Sequence, residues 1–166
     1  PIVLRLNLQL SLVFPESPRA ANAVQMIVDT FPDDHLNSLR LVGYFIANRQ
    51  YEEAIDAIER FQEGSGIRDG AMESVKSAAA LAMGNLDDAE KHALQATVVE
   101  PSLELGWWSL LRARTRAKDY DGATEALTRL EDEFGHTLDA AKLKRDRFLK
   151  VLADKQEYLN WRASRE

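Results

Sequence analysis

The sequence predicts an all-α fold in which antiparallel helix pairs repeat along the chain. One observation is a helical spacing of small and apolar residues at i, i+4 and i+7, which places three side chains on one helix face. The other is recurrence. Each copy begins with an alanine, and these are Ala20, Ala54, Ala89 and Ala123. They are 34, 35 and 34 residues apart (54−20, 89−54, 123−89). A fixed period of this length is typical of a helical repeat array.

The clearest copy is the stretch Ala82–Pro101. Gly84 predicts the end of one helix, and Asp87 and Asp88 lie in the first turn of the next, where the positive end of the helix dipole favours acid. The small face of this second helix consists of Ala89, Ala93 and Ala96. Such a face lets a neighbouring helix approach closely, so we expect it at a helix–helix contact.

Cap and breaker residues predict the other helices. Ser17 before Pro18 is a helix start, Pro32 is a stop, Asp33 or Asp34 caps the next helix, and Gly135 ends the last repeat helix. The predicted helices are about 18–31, 34–48, 51–63, 70–83, 86–99, 102–117 and 120–134. Thr137 is expected to cap one more helix, and the charged stretch 139–155 is predicted to form that helix as a polar cap of the array.

The first residues give two readings. Ile2–Phe14 alternates apolar and polar residues, which by periodicity alone indicates a half-buried strand. Its position before the turn at Pro15 is that of the first helix of a helix pair. We favour a helix, because a lone strand would have no partner in an all-helical chain. The chain starts with Pro1 rather than Met, which favours a processed or excised piece of a longer protein.

The pattern resembles the tetratricopeptide repeat (TPR) family, in which W-x2-L-G-x2-Y is followed by A-x3-F and then P. The matches are the four lead alanines, the small or apolar residue four places later, Pro32, Pro101, and Trp107 with Leu110. The resemblance implies an α-solenoid of stacked antiparallel helix pairs, a right-handed superhelix of about four units and a C-terminal capping helix. We expect one domain over 1–166. Its units are about 1–34, 35–68, 69–102 and 103–136, with capping helices at 137–163.

Composition and motifs argue against catalysis. The chain has no Cys and a net charge of −6. His35, His92 and His136 lack metal-ligand spacing, and neither a nucleophile elbow nor a phosphate-binding loop is present. We therefore expect no enzyme, no cofactor and no metal. The acidic balance disfavours nucleic acid, and the apolar N-terminal stretch is too short for membrane insertion.

What remains is binding. In the family, the first helices of successive units line a concave groove, so the resemblance implies a protein or peptide partner there. Our groove candidates are Arg40, Trp108, Arg112 and Arg116. On one helix, Trp108 with Arg112 one turn later can hold a carboxylate or stack a side chain. The alternative is that Trp108 packs between units and the arginines are a solvated face. The acid-binding set of some family members is not matched, since Ala71 and Val75 stand where cations are needed.

Charge is unevenly distributed. Residues 138–166 hold 8 basic and 5 acidic side chains, net +3, so the remainder is −9 (−6 − 3). A solvated face is the default explanation, and an acidic protein segment is the favoured special partner. Two alternatives stay open: self-association as a homo-oligomer, for instance through Tyr158–Trp161, and a role as an accessory domain of a larger protein. The absence of Cys does not fix the compartment, although a cytoplasmic location is favoured.

Overall fold

The computed structural model describes residues 18–31 and 33–165. Their regular structure is entirely helical, with no strand among them, so the predicted all-α class is confirmed for this part of the chain. The helix-or-strand alternative for residues 2–14, the cap at Ser17 and the stop at Pro32 lie outside the described residues. The chain divides into two compact units between Arg68 and Asp69.

The first unit contains three described helices: α1 (Pro18–Thr30), α2 (His35–Ala47) and α3 (Tyr51–Ser65). Each packs against the next along the chain. Asp34 begins α2 by accepting a hydrogen bond from the Asn37 amide at 3.1 Å, which satisfies a helix-start donor. The buried apolar side chains of this unit are Val24, Ile27, Val28, Leu41, Val42, Ala54, Ala57, Ile58 and Phe61.

The second unit begins with four helices that pack in sequence order: α4 (Gly70–Met83), α5 (Leu86–Val99), α6 (Glu104–Ala117) and α7 (Tyr120–Asp132). These bounds agree with the predicted ones to within two residues. Gly84 adopts φ +86, a left-handed conformation that only glycine adopts without strain, and it ends α4 as predicted. The α4 helix also contacts α6 directly, so these two helices stand side by side with α5 against both.

The predicted small-residue face of α5 is buried. Ala89, Ala93 and Ala96 have no exposed surface. A Cβ added at Gly106 of α6 would lie only 3.3 Å from the Ala96 Cβ, so the backbones of α5 and α6 approach each other closely there. Close approach between two helices thus depends on Ala on one side and Gly on the other, which confirms the role expected of this stripe.

The C-terminal segment differs from the single capping helix predicted over 139–155. It consists of α8 (Ala140–Arg145), a short 3-10 helix (Leu152–Asp154) and α9 (Gln156–Ala163). The α8 helix is capped by Asp139, which accepts from the Lys142 amide at 2.8 Å, and not by Thr137 as predicted. It ends because Asp146 turns the chain, its Oδ1 accepting from the Phe148 amide at 2.8 Å.

The last helix is fastened to the rest of the second unit by two aromatic side chains. Tyr158 is buried and donates a hydrogen bond to the Leu138 carbonyl at 3.0 Å, and Trp161 donates to the Thr128 hydroxyl at 2.8 Å. Burial raises the pKa of the Tyr158 hydroxyl. These contacts place α9 against α7. The division of the whole chain into four repeat units and a cap stays a prediction.

Candidate functional site

The second unit contains a cavity of about 490 Å³ between α4, α6 and the turn after α8. In the predicted division into repeat units, α4 and α6 are the first helices of successive units, and first helices line the groove in the TPR family. The cavity is lined by Ser77, Ala78, Leu81, Ala82, Ser109, Arg112, Arg145, Asp146, Arg147 and Phe148. Three of these side chains are cationic and one is anionic.

Arg112 is the cation that α6 contributes to the cavity. Its Nε and Nη2 both donate to one oxygen of Asp146, Oδ2, at 3.1 and 2.9 Å. The Arg112 side chain is 34% exposed and that of Asp146 is 22% exposed, so both remain within reach of a ligand. An ion pair with this much solvent contact is worth about 1 kcal/mol or less.

Trp108 holds the other side of Arg112. The guanidinium carbon lies 5.6 Å from the centroid of the Trp108 ring, within cation–π range. The ring is itself fixed, because its Nε1 donates to Glu104 at 2.6 Å and His136 meets it edge-on at 5.3 Å between centroids. Arg112 is therefore positioned between an oriented aromatic face and a carboxylate.

The partners of Trp108 also interact with each other. His136 Nε2 lies 2.7 Å from the same Glu104 oxygen. Two hydrogen bonds hold the pKa of the Glu104 carboxyl below its usual value. The one from Trp108 has the larger effect, and the one from His136 has the next largest. Glu104 therefore stays ionised under ordinary conditions and remains an acceptor for both groups, which keeps the Trp108 ring oriented.

The turn after α8 supplies the remaining charges of the cavity. Arg145 and Arg147 flank Asp146 in sequence and are both exposed. The Arg147 guanidinium stacks 4.5 Å from the centroid of Phe148, which is half-buried. Since three arginines and one carboxylate line the cavity, it has a local excess of positive charge although the whole chain is acidic.

Small side chains from α4 leave room for a ligand. Ala78 and Ala82 are exposed and Leu81 is buried. Ser77 is buried as well, and its hydroxyl is already used, since it donates to the Ala89 carbonyl of α5 at 2.7 Å. The α4 side of the cavity therefore consists mostly of short apolar side chains. Among the described residues of α4 that line the cavity, none has a free polar group that would bind an anion in place of the arginines.

A second cavity of about 540 Å³ lies between α5, α6 and α7, but its charges are matched within the chain. Arg114 donates to Glu90 at 3.0 Å and to Glu125 at 2.9 Å. Burial disfavours the charge of Arg114, but these two carboxylates outweigh that cost and raise its pKa. We therefore centre the candidate site on Arg112.

The sequence-predicted site residues divide into three cases. Arg112 lines the cavity, and Trp108 contacts Arg112 without lining the cavity itself. Arg116, one turn further along α6, is exposed and does not line it. Arg40 belongs to the first unit, where it donates to the Asn37 side chain at 3.2 Å. Groove roles for Arg40 and Arg116 stay predictions.

Sequence reasoning missed the contribution of Arg145, Asp146 and Arg147. The basic character of the C-terminal region is visible in the sequence, but nothing local connects it to α6. Asp146 is separated by 34 residues from the arginine it pairs with. An acid between two arginines at the end of an apolar stripe, as in Lys144–Phe148, is the one signal that could have suggested a turn there.

Another polar cluster joins α4 to α5. The buried Glu73 carboxylate lies 3.1 Å from the Lys76 ammonium and 2.9 Å from His92 Nδ1. With two cationic or hydrogen-bonding partners, this carboxylate has what a buried acid requires.

Within the described residues, no group of three or more His, Asp or Glu side chains could hold a metal ion. No helix in that same part of the chain combines the length and apolar content needed to cross a bilayer.

Comparison with known proteins gives a likeness of fold. The structure is similar to the crystal structure of MamA, with a TM-score of 0.64 at 14% sequence identity. The likeness covers 88% of this chain and 88% of that chain. No family model and no curated protein matches the sequence. At this identity the likeness shows the fold, and the chain has a TPR-like arrangement of paired helices.

Proposed function

We propose that this chain is a non-catalytic protein-interaction module that binds an acidic segment of a partner protein at the cavity between α4 and α6. The observation that carries the proposal is Arg112, half-exposed at that cavity and positioned by Trp108 and Asp146. A guanidinium fixed in this way presents its donors to a carboxylate with little loss of side-chain freedom.

The surroundings favour a peptide over a small anion. The cavity of about 490 Å³ is open to solvent along exposed alanines of α4, and Leu81 and Phe148 provide apolar contact beside the arginines. A segment with acidic residues and an apolar side chain between them matches both features. TPR-like folds commonly serve as binding scaffolds, which is consistent with this proposal.

Self-association is the alternative raised by the C-terminal aromatic residues. Tyr158 and Trp161 are engaged within the chain, through hydrogen bonds to Leu138 and Thr128. Their contacts therefore give no support to a role for these two side chains in binding a second copy. A role as an accessory domain of a larger protein is compatible with the proposed binding and would supply its context.

The experiment compares two short labelled peptides. One alternates Glu with Leu, and the other carries Gln in place of every Glu, so that length and apolar content are equal. Fluorescence anisotropy at physiological ionic strength gives both dissociation constants. We expect the Glu peptide to bind about tenfold more tightly or better, because a hydrogen bond to a charged group contributes about 1.5–3 kcal/mol.

The site of binding is read from the indole N–H signals in an NMR titration of the same complex. The Trp108 signal should shift with the Glu peptide, because its ring contacts Arg112, while the Trp161 signal, at α9, should not. Equal affinity for the Glu and Gln peptides would contradict the proposal. So would selective binding that moves the Trp161 signal and leaves that of Trp108 in place.

A further inference from the structure

The Asp146 carboxylate occupies the arginine that an acidic ligand would use. Asp146 stands at the end of α8 with an extended backbone, φ −85 and ψ 124. One of its oxygens accepts a hydrogen bond from the Phe148 amide, and the other accepts hydrogen bonds from Nε and Nη2 of Arg112. The chain therefore places one of its own carboxylates on the cation of the candidate site.

We propose that Asp146 is a built-in competitor for the acidic ligand, and that a ligand carboxylate replaces it on Arg112. This inference rests on the proposed function and adds how the site is regulated: the resting pocket is partly neutralised by the chain itself. A ligand must displace Asp146, so weakly acidic or single-carboxylate segments are disfavoured and segments with several acids are selected.

The geometry shows why displacement is feasible. Arg112 directs Nε and Nη2 to the same oxygen of Asp146, at 3.1 and 2.9 Å, because the other oxygen is held by the Phe148 amide. A free carboxylate can give each donor an oxygen of its own, which is the stronger paired arrangement. The ligand thus offers Arg112 a better contact than the internal acid can.

Arg112 need not move during this exchange. Its guanidinium lies on Trp108, whose ring is fixed by Glu104 and His136. The Asp146 side chain is 22% exposed, so water can take the place of Arg112 around its charge after the exchange. The exchange therefore does not leave a carboxylate isolated in an apolar environment.

Asp146→Asn tests this inference with little change in shape. The Asn side-chain oxygen can still accept the Phe148 amide, so the turn is kept while the charge is removed. We expect the variant to bind the alternating Glu–Leu peptide about fivefold more tightly than wild type, the factor set by releasing a half-exposed ion pair. The Gln peptide should bind equally to both proteins.

Asp154→Asn is the matched control. Asp154 forms an ion pair with Lys144 at 2.8 Å in the same C-terminal segment, but does not line the cavity. It removes the same charge from the same region and should change the affinity by less than twofold. In an Arg112→Gln background, Asp146→Asn should also change the affinity by less than twofold, because the guanidinium for which Asp146 competes is then absent.

The outcomes separate this inference from the proposed function. If wild type prefers the Glu peptide but the Asp146 and Asp154 variants bind it equally, or Asp146→Asn weakens binding, the competitor inference is overturned and the proposed function stands. A gain that persists in the Arg112→Gln background also overturns it. If neither wild type nor Asp146→Asn distinguishes Glu from Gln peptide, both are overturned. Thermal unfolding of each variant verifies that the fold is retained.

Discussion

Replacing Ala89 by Leu tests the packing of the second unit where three of its helices meet. Ala89 has no exposed surface, and it forms one buried cluster with Ala80 and Leu81 of α4 and Ala113 of α6. Three of these four side chains are alanine, so the helices approach each other at the distance that a methyl group allows. A leucine at position 89 must fit its additional carbons into a space that α4 and α6 already fill.

Two contributions of opposite sign set the magnitude. Three further buried carbons would contribute about 2 kcal/mol if an empty space received them, at about 0.8 kcal/mol each. Because no such space is present between three tightly packed helices, shifts of α4 and α6 offset that gain. Overpacking of this kind costs about 1–3 kcal/mol net. In a chain of this size, that lowers the melting temperature by about 2–12 °C.

The assay is thermal and urea unfolding monitored by circular dichroism, with Ala117→Leu as the control. Ala117 lies in the last turn of α6 and is exposed, so the same substitution there should change stability by less than about 0.5 kcal/mol. If Ala89→Leu and Ala117→Leu unfold at the same temperature, α4, α5 and α6 do not pack around Ala89 as described, and the reasoning from the alanine stripe is refuted.

Three further substitutions test other contacts of the fold. Ser38→Ala should stabilise the first unit by about 0.5–1 kcal/mol in urea unfolding, because the buried Ser38 hydroxyl has no hydrogen-bond partner among the described residues; a loss of stability would show that it has one. Tyr158→Phe should cost about 1–2 kcal/mol, since it leaves a buried backbone carbonyl unpaired, and an unchanged urea midpoint would contradict that bond. The pKa of Glu104 is lowered by hydrogen bonds from Trp108 and His136, so its stabilisation is present above the unfolded pKa and is lost as the pH falls through the lower, folded value. Glu104→Gln should therefore flatten the decline of the urea midpoint on acidification, and an identical acid profile in both proteins would refute this linkage.

The repeat helices could be predicted from the sequence because their ends are determined locally. Gly84 stops α4 by a left-handed φ, and Asp34 and Asp119 cap helices by accepting an amide three residues later. These signals involve residues that are close together in the sequence, so they can be recognised without the tertiary structure. The break at Asp146 is different, because two of the three hydrogen bonds that its carboxylate accepts come from Arg112, on a helix 34 residues earlier. The charged stripe around it favours a continuous helix, and the sequence does not show that the Asp146 carboxylate bonds the Phe148 amide and Arg112 instead.

The candidate site was partly predictable for the same reason. Helical spacing alone places Trp108 and Arg112 on one face of α6, one turn apart. The acid that pairs with Arg112 and the arginines beside it come from a turn whose position depends on the packing of α8. Helical spacing also places Arg116 on that face, but Arg116 is not among the residues that line the cavity. Helical spacing predicts which side chains share a face of α6. It does not predict which of them the neighbouring elements leave at a cavity.

The affinity of the alternating Glu–Leu peptide for Arg112→Gln, with Lys118→Gln alongside it, tests the central claim most directly. Both variants remove one positive charge, but Arg112 lines the cavity, whereas Lys118 is exposed directly after α6 and does not line it. We predict that Arg112→Gln weakens binding of the Glu peptide about tenfold and leaves the Gln peptide unaffected, while Lys118→Gln changes either by less than twofold. Equal losses in the two variants, or none for Arg112→Gln, would contradict binding of an acidic segment between α4 and α6.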